Sequence, residues 1–578
     1  MLFKRMRRYI AVAVAVCLCA AVIPSCSQHK YGDHAMKAAA PATPAETDFV
    51  TLCDGYESQF KPLFMASAKA WWEASTTGSD AAFKSKQAAE NKLVELHSDK
   101  TTFAKIKSLK DGGGVKDPVM ARQLDVMYRA FLPGQADPEL QKKIIGIQNE
   151  CEQIFNTHRG MVRGKEVTEN DIRKILGETK DSAEAKEAWA AYIEVGRKIE
   201  PKLREVAKLR NELARKLGYA NFFEMQLALQ EIDSKKLNKL FDDLDRLTSS
   251  AFAKVKGEID AARAAKFGVA ADQLKPWHFG DLFFQEAPQS EGANLDSIYK
   301  DADLAALTRD YYQSLDMPVE AIFARSDMYE KKGKSPHAFC TNIDRDQDIR
   351  VLCNVKPNLY WADTVIHEVG HAVYEQYINK DVPFLLHEPS HPITTEGMAM
   401  MFGAFVKGED FLNRVRKLPS DQRSLVEAAK KSKMAERLIF SRWTQVMMRF
   451  EQGMYSNPEQ DLAKLWWDLK KRYQSLNPPD DLSLPGYAAK VHVVTVPVYY
   501  HSYMMGDLFA CQVQEHIAKK ILKLDDPMST CFYGSKEAGQ YMKDEVFGPG
   551  NLYSWNDLTK RCTGEELNPR AFAKQCGM

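Results

Sequence analysis

The sequence predicts a mainly α-helical protein, one large two-lobed domain with a short β-hairpin. Long runs that are charged on one face and apolar on the other recur at helical spacing, over Ala66–His97, Pro138–Thr157, Asp181–Leu217 and Lys235–Ala264. Strand-like alternation stands out at only one place, around residues 337–355. No low-complexity linker divides the chain after residue 48, so the body reads as one domain rather than several beads.

In chain order, residues 1–25 read as an export signal. Lys4, Arg5, Arg7 and Arg8 form a basic start and Ile10–Ile23 an apolar core. Ile23-Pro24-Ser25-Cys26 resembles a bacterial lipoprotein cleavage box, which would make Cys26 the lipidated first residue of the mature chain. Residues 26–48, rich in Ala, Pro and Thr, read as a flexible tether, and 49–578 as the folded domain. The expected location is the cell envelope of a bacterium, with membrane attachment through that lipid alone, since no other segment is apolar enough to span a bilayer.

Removing residues 1–25 takes four of the 79 basic side chains and none of the 78 acidic ones, leaving a net charge of about −3. That balance gives no electrostatic footprint for nucleic acid. Of the 11 cysteines, eight lie in the domain, a number that permits four disulfides in an exported chain. Gly112-Gly113-Gly114 is a loop without the following Lys-Ser/Thr of a phosphate cradle.

The hairpin is expected from residues 337–343 and 349–355 around the turn 344–348. A centre between Asp346 and Gln347 sets Cys340 opposite Cys353, close enough for a disulfide. A free strand edge here would hold an extended peptide by main-chain hydrogen bonds.

The segment ADTVIHEVGHAVYEQY, 362–377, follows at once. His367 and His371 stand one helical turn apart on one face, and Glu368 lies beside them. This is H-E-x-x-H, two imidazoles for one Zn²⁺ with a carboxylate to handle protons. Chance gives such a motif in about 0.02 chains of this composition. Three protein ligands and one open position make a catalytic zinc site. Glu396, 25 positions after His371 at the start of an apolar helix capped by Thr394 or Thr395, is the candidate third ligand. Glu375, Glu388 and His387 are its rivals. Far downstream, residues 490–503 are dense in polar aromatics, and Tyr500 and Tyr503 share a helix face after Pro497.

Taken together these stretches resemble the angiotensin-converting enzyme family of zinc dipeptidyl carboxypeptidases. His367, His371 and Glu396 match the family's zinc set. His337-Ala338 matches its substrate-binding strand, and Gly280–Gln285 the segment whose glutamine meets the substrate C-terminus. Lys490, His492, Tyr500 and Tyr503 match its late Lys-x-His and paired tyrosines. A small length change leaves Tyr499 competing with Tyr500, and His501 with Tyr503. Trp466–Gln474, Cys531–Gly539 and Trp189–Tyr219 also look familial.

The resemblance implies a two-lobed helical fold with a deep central cleft, one Zn²⁺, short peptide substrates and a monomeric enzyme. It implies Glu368 as proton carrier, His492 and Tyr503 as donors to the reacting carbonyl, and His337 and Ala338 aligning the substrate backbone. Gln285, Lys490 and Tyr500 would grip the free C-terminal carboxylate, so that C-terminal dipeptides are released. Two departures stand out. Met400 replaces the aspartate that supports a zinc histidine in the animal enzymes, so another group must orient His371. Ile193, Ser502 and Lys470 stand where those enzymes hold chloride with arginine, so the same chloride activation is not expected. Oligopeptidases of the thimet and neurolysin type, which cut internally, are the alternative; a peptide-binding lipoprotein without catalysis is a second.

Overall fold

The computed structural model describes residues 43–288 and 294–577. The export signal, Cys26 and the first part of the tether lie outside the described residues. Helix α1 (Pro44–Thr77) starts inside the stretch read as tether, with Thr43 and Glu46 closing a capping box at its N-terminus. Helix α1 thus starts five residues before Phe49, the expected first residue of the folded domain.

The described residues are mainly helical, with two small antiparallel hairpins, β1–β2 (Gly160–Val162, Lys165–Val167) and β3–β4 (Phe339–Asn342, Ile349–Leu352). The run Ala66–His97 is split by Gly78 into α1 and α2 (Asp80–His97). Gly78 has φ +63°, and a Cβ there would lie 2.0 Å from the carbonyl oxygen of Gly333, so both conformation and space require glycine.

Two apolar cores organise these helices. The smaller joins Phe49, Tyr56 and Phe60 of α1 to Ile106 of α3 (Lys100–Gly112) and Leu124, Met127 and Phe131 of α4 (Pro118–Phe131). The larger holds the remaining helices together. Leu385 belongs to the smaller core, and Trp71 of α1 stacks on Phe339 of β3 with ring centroids 4.2 Å apart. The N-terminal helices therefore lie against the hairpin and the loop after the H-E-x-x-H helix.

Four helices of the larger core frame the site: α5 (Leu359–Gln376), α6 (Pro392–Phe405), α7 (Arg423–Ser456) and α8 (Tyr500–His516). On α5, Asn358 caps the N-terminus, and Val365, Ile366, Val369, Ala372 and Val373 are fully buried, as the apolar spacing predicts. Helix α6 begins earlier than expected. His391, not Thr394 or Thr395, is the N-cap, its Nδ1 accepting from Ile393 N, with Pro392 at the first helical position. Helices α6 and α8 meet backbone to backbone, for a Cβ on Gly397 would lie 2.6 Å from the Gly506 carbonyl oxygen. That approach brings Glu396 beside the tyrosines of α8.

The hairpin register corrects the expected disulfide. Cys340 pairs with Val351, and the eight cysteines among the described residues are free. The turn closes two positions tighter than expected because the Asp344 carboxylate accepts from the backbone N–H groups of both Asp346 and Asp348. The backbone of Cys353 is engaged elsewhere, its N–H donating to the Asp327 carbonyl at 2.9 Å.

Candidate metal centre and substrate cleft

His367 and His371 project from one face of α5, and Glu396 reaches them from the first turns of α6. The two Nε2 atoms are 3.2 Å apart, and Glu396 Oε1 and Oε2 lie 3.6 and 3.5 Å from His367 and His371. These three form the metal-ligand cluster found among the described residues, with all ligand atoms within 4.8 Å of one another. Bonds of ~2.0–2.1 Å to a tetrahedral zinc set ligand atoms about 3.3 Å apart, so the donor set fits that ion. Of the rivals, Glu375 accepts from Asn342 Nδ2 at 3.2 Å, and Glu388 receives Arg345 Nη2 at 2.7 Å. His387 is buried and is not part of the cluster.

Electrostatics separates the two carboxylates. Burial alone would raise Glu396, but the bond with His371 and the proximity of His367 outweigh that and hold it at about 2. Burial, reinforced by Glu396 and opposed by His367, pushes Glu368 up to about 7. The two carboxylates are thus pushed in opposite directions, Glu396 toward the anion and Glu368 toward the acid.

The orienting group that the sequence left open is Thr395. Its hydroxyl lies 2.7 Å from His371 Nδ1. With Nε2 turned to the metal position, Nδ1–H donates to Thr395 Oγ1 and fixes the tautomer.

Two adjoining cavities, of about 1010 and 550 Å³, share Glu375, Glu388, Thr395, Glu396 and Tyr499 on their walls. The smaller is also lined by Ala338–Asn342, His367, Glu368, His371 and Tyr503. β4 is flanked on its other side by a parallel bridge to Asp327, so β3 presents its free edge to the cavity. His337 does not join it; its side chain is exposed one residue before the lining begins.

A second cluster adjoins this one. Lys490 Nζ donates to Gln285 Oε1 at 2.9 Å and lies 5.6 Å from the Tyr500 ring. Burial draws Lys490 down to about 8, with Asp281 pulling the other way. The His492 ring packs 5.2 Å from Tyr500; burial and the Lys490 charge hold it neutral, at about 4, and its Nδ1 is buried without a partner. Tyr503, with its ring 5.5 Å from Tyr500, links this cluster to the metal cleft. Tyr499 also faces the cleft, 5.1 Å from Tyr503, whereas His501 is buried and bonded to Gln230 at 3.0 Å.

Both supporting loops are held in sparsely populated backbone. Phe284, before Gln285, has φ +52°, and Val498, before the tyrosines, has φ +56°. Asp281 accepts from the N–H groups of Phe283 and Gln285, while Lys470 and Gln474 donate to the carbonyls of Phe283 and Phe284. The buried Glu451 of α7 accepts from Val498 N at 2.7 Å. Asp281, Glu451 and Thr395 carry no motif signature; a hydroxyl next to a ligand was the one legible hint.

The family model of angiotensin-converting enzyme matches residues 43–574. The chain belongs to the angiotensin-converting enzyme family. Members are zinc-dependent, in keeping with the His367, His371 and Glu396 cluster. The chain is 25% identical to the angiotensin-converting enzyme of Mesocricetus auratus over 90% of its own length and 41% of that protein. It is 24% identical to carboxypeptidase 1 of Bacillus subtilis over 40% of this chain and 50% of that one. A Caenorhabditis elegans relative, 20% identical over 56% of this chain and 40% of its own length, is named an inactive angiotensin-converting enzyme-related protein. The chain thus spans less than half the length of the animal relatives it matches. No helix among the described residues is long and apolar enough to cross a membrane.

Proposed function

We propose that this protein is a zinc peptidyl-dipeptidase that releases C-terminal dipeptides from short peptides. The observation that carries the reading is the Lys490–Gln285 pair beside Tyr500, one helical turn from a tyrosine on the wall of the metal cleft. An ammonium and an amide so placed recognise a free carboxylate, and a clamp set apart from the metal position would select C-terminal dipeptides.

His367, His371 and Glu396 would hold the Zn²⁺, which when bound supplies Lewis acidity to a peptide carbonyl and to water. Glu368 takes the proton of the attacking water and passes it to the leaving amine, a role served by its raised pKa. Tyr503 and neutral His492 donate to the carbonyl oxygen as it gains charge. The free edge of β3, from Ala338 onward, aligns the substrate backbone; His337 contributes through its main chain, given its exposed ring.

The test is mass spectrometry of one peptide as free acid and as C-terminal amide, with and without chelator. Chelator-sensitive loss of a dipeptide from the acid alone supports the reading. Internal cleavage of both forms refutes it in favour of an oligopeptidase, and intact peptides refute catalysis. We further propose anchoring of a monomer in a bacterial envelope through lipidated Cys26. Cys26→Ser should move the protein from the membrane to the soluble fraction.

A further inference from the structure

We propose that Glu375 is a specificity-determining residue that selects peptides with a cationic side chain just before the scissile bond. The inference rests on the peptidase reading and deepens it by naming a substrate class. Among the residues lining the two cavities are five carboxylates, those of Glu231, Glu368, Glu375, Glu388 and Glu396, against the two guanidinium groups of Arg129 and Arg345. No lysine lines either cavity.

Both arginines are committed. Arg129 pairs with Glu231 at 3.1 Å, and Glu231 also takes Arg122. Arg345 pairs with Glu388 at 2.7 Å and donates to the carbonyls of Phe384 and Leu385. The second oxygen of Glu388 accepts from Asn551 at 3.2 Å. Glu396 belongs to the metal cluster, and Glu368 carries the proton. Glu375 remains, with no cation paired to it and one neutral donor, Asn342 Nδ2.

Its placement is that of a substrate contact. Glu375 follows His371 by one turn on the same face of α5 and lines both cavities. The carboxylate clamp of Lys490 and Gln285 lines neither. If the two C-terminal residues of a substrate run from the metal position to the clamp, the residues before the scissile bond lie along Glu375 and the end of β3. Burial pushes Glu375 up to about 7, with Glu388 adding to it and the Asn342 bond and the Arg345 charge opposing it. A peptide guanidinium supplies a positive charge inside a cleft that screens it weakly, and the surplus of acid on the walls draws cationic peptides in.

The test uses N-acetylated free-acid peptides with one C-terminal dipeptide and Arg, Ala or Glu at each of the two positions before the scissile bond. N-acetylation leaves the side chain as the only cation. The ratio of kcat/KM for Arg over Ala should be about tenfold at one position, and should fall within about twofold in Glu375→Gln, which keeps shape and the Asn342 partner. A ratio near one in the unaltered protein, or one unchanged in Glu375→Gln, overturns the proposal. Calorimetry of the same peptides on Glu368→Gln, alone and combined with Glu375→Gln, reads the preference without turnover. If no peptide loses its dipeptide the function proposed above fails, and calorimetry alone decides on Glu375: Arg over Ala binding that is lost in the double variant sustains it, and equal binding overturns it.

Discussion

Thr395→Val tests whether this chain has replaced the missing aspartate at position 400 with a neutral hydroxyl. The substitution preserves shape and β-branching while removing the acceptor 2.7 Å from His371 Nδ1. His371 is largely buried, so its N–H loses its partner with little access to water, at a cost of about 1–3 kcal/mol. Losing a group that orients a metal-bound histidine typically weakens metal affinity by about 10–100-fold, or about 1.4–2.7 kcal/mol, so the two routes converge. The assay is zinc competition against a chromophoric chelator, with the thermal midpoint measured in chelator to isolate any effect on the metal-free fold. The expected result is a tenfold or greater loss of zinc affinity in Thr395→Val, near-normal affinity in Thr395→Ser, and metal-free midpoints within a few degrees. Zinc held as tightly by the valine variant would refute the claim that Thr395 fixes the tautomer.

Glu368→Gln should bind zinc stoichiometrically and lose most peptidase activity, since the amide cannot accept the proton; retained turnover excludes Glu368 as the base. Lys490→Ala should raise KM for free-acid peptides and leave any residual action on amides unchanged, and equal effects on both would remove the clamp. Glu451→Gln concerns stability. Burial raises Glu451 from 4.5 to about 8, so between those values the folded chain holds a proton that the unfolded chain has released. Stability contributed by this group is therefore full below pH 4.5 and declines as pH rises toward 8, by at most about 1.4 kcal/mol per pH unit. Urea unfolding should show a flatter decline in Glu451→Gln between pH 5 and 8. With Cys340 and Cys353 two positions out of register, reductant should leave the thermal midpoint of the oxidised protein unchanged.

Local periodicity made the metal centre readable. Two histidines at a one-turn interval and a lone carboxylate in an apolar helix are properties of short segments, and α5 and α6 form where those properties place them. The clamp is another matter. Gln285 and Lys490 are 205 positions apart and lie on irregular loops, so no spacing rule joins them; only their order along the chain, as a family resemblance, pointed to both. The errors share a cause. His391 took the cap expected of Thr394 or Thr395 because a polar residue near a helix start satisfies the capping rule from several positions, and only the tertiary approach of α5 set the Thr395 hydroxyl against His371. The hairpin slipped because one aspartate bonded two turn amides that pattern alone treats as equal.

The same contrast separates what the fold can vary from what it holds fixed. Glu396 and the two imidazoles are satisfied by one another and by the ion they fit, so their positions tolerate no independent change. Gln285 lies on a loop and Tyr500 opens α8, and the residues ahead of them, Phe284 and Val498, sit in strained backbone. Each strain is offset by a buried polar contact from outside the loop, Gln474 to the Phe284 carbonyl and Glu451 to the Val498 amide. The distance between clamp and metal, on which the proposed dipeptide release would depend, is therefore set by polar groups placed outside both clusters. Gln474→Leu is the sharpest probe of that dependence. It should leave zinc affinity unchanged while blurring the cleavage position on a long peptide, from one dipeptide product to a mixture. A single clean dipeptide from the leucine variant would mean that the helices alone set the spacing.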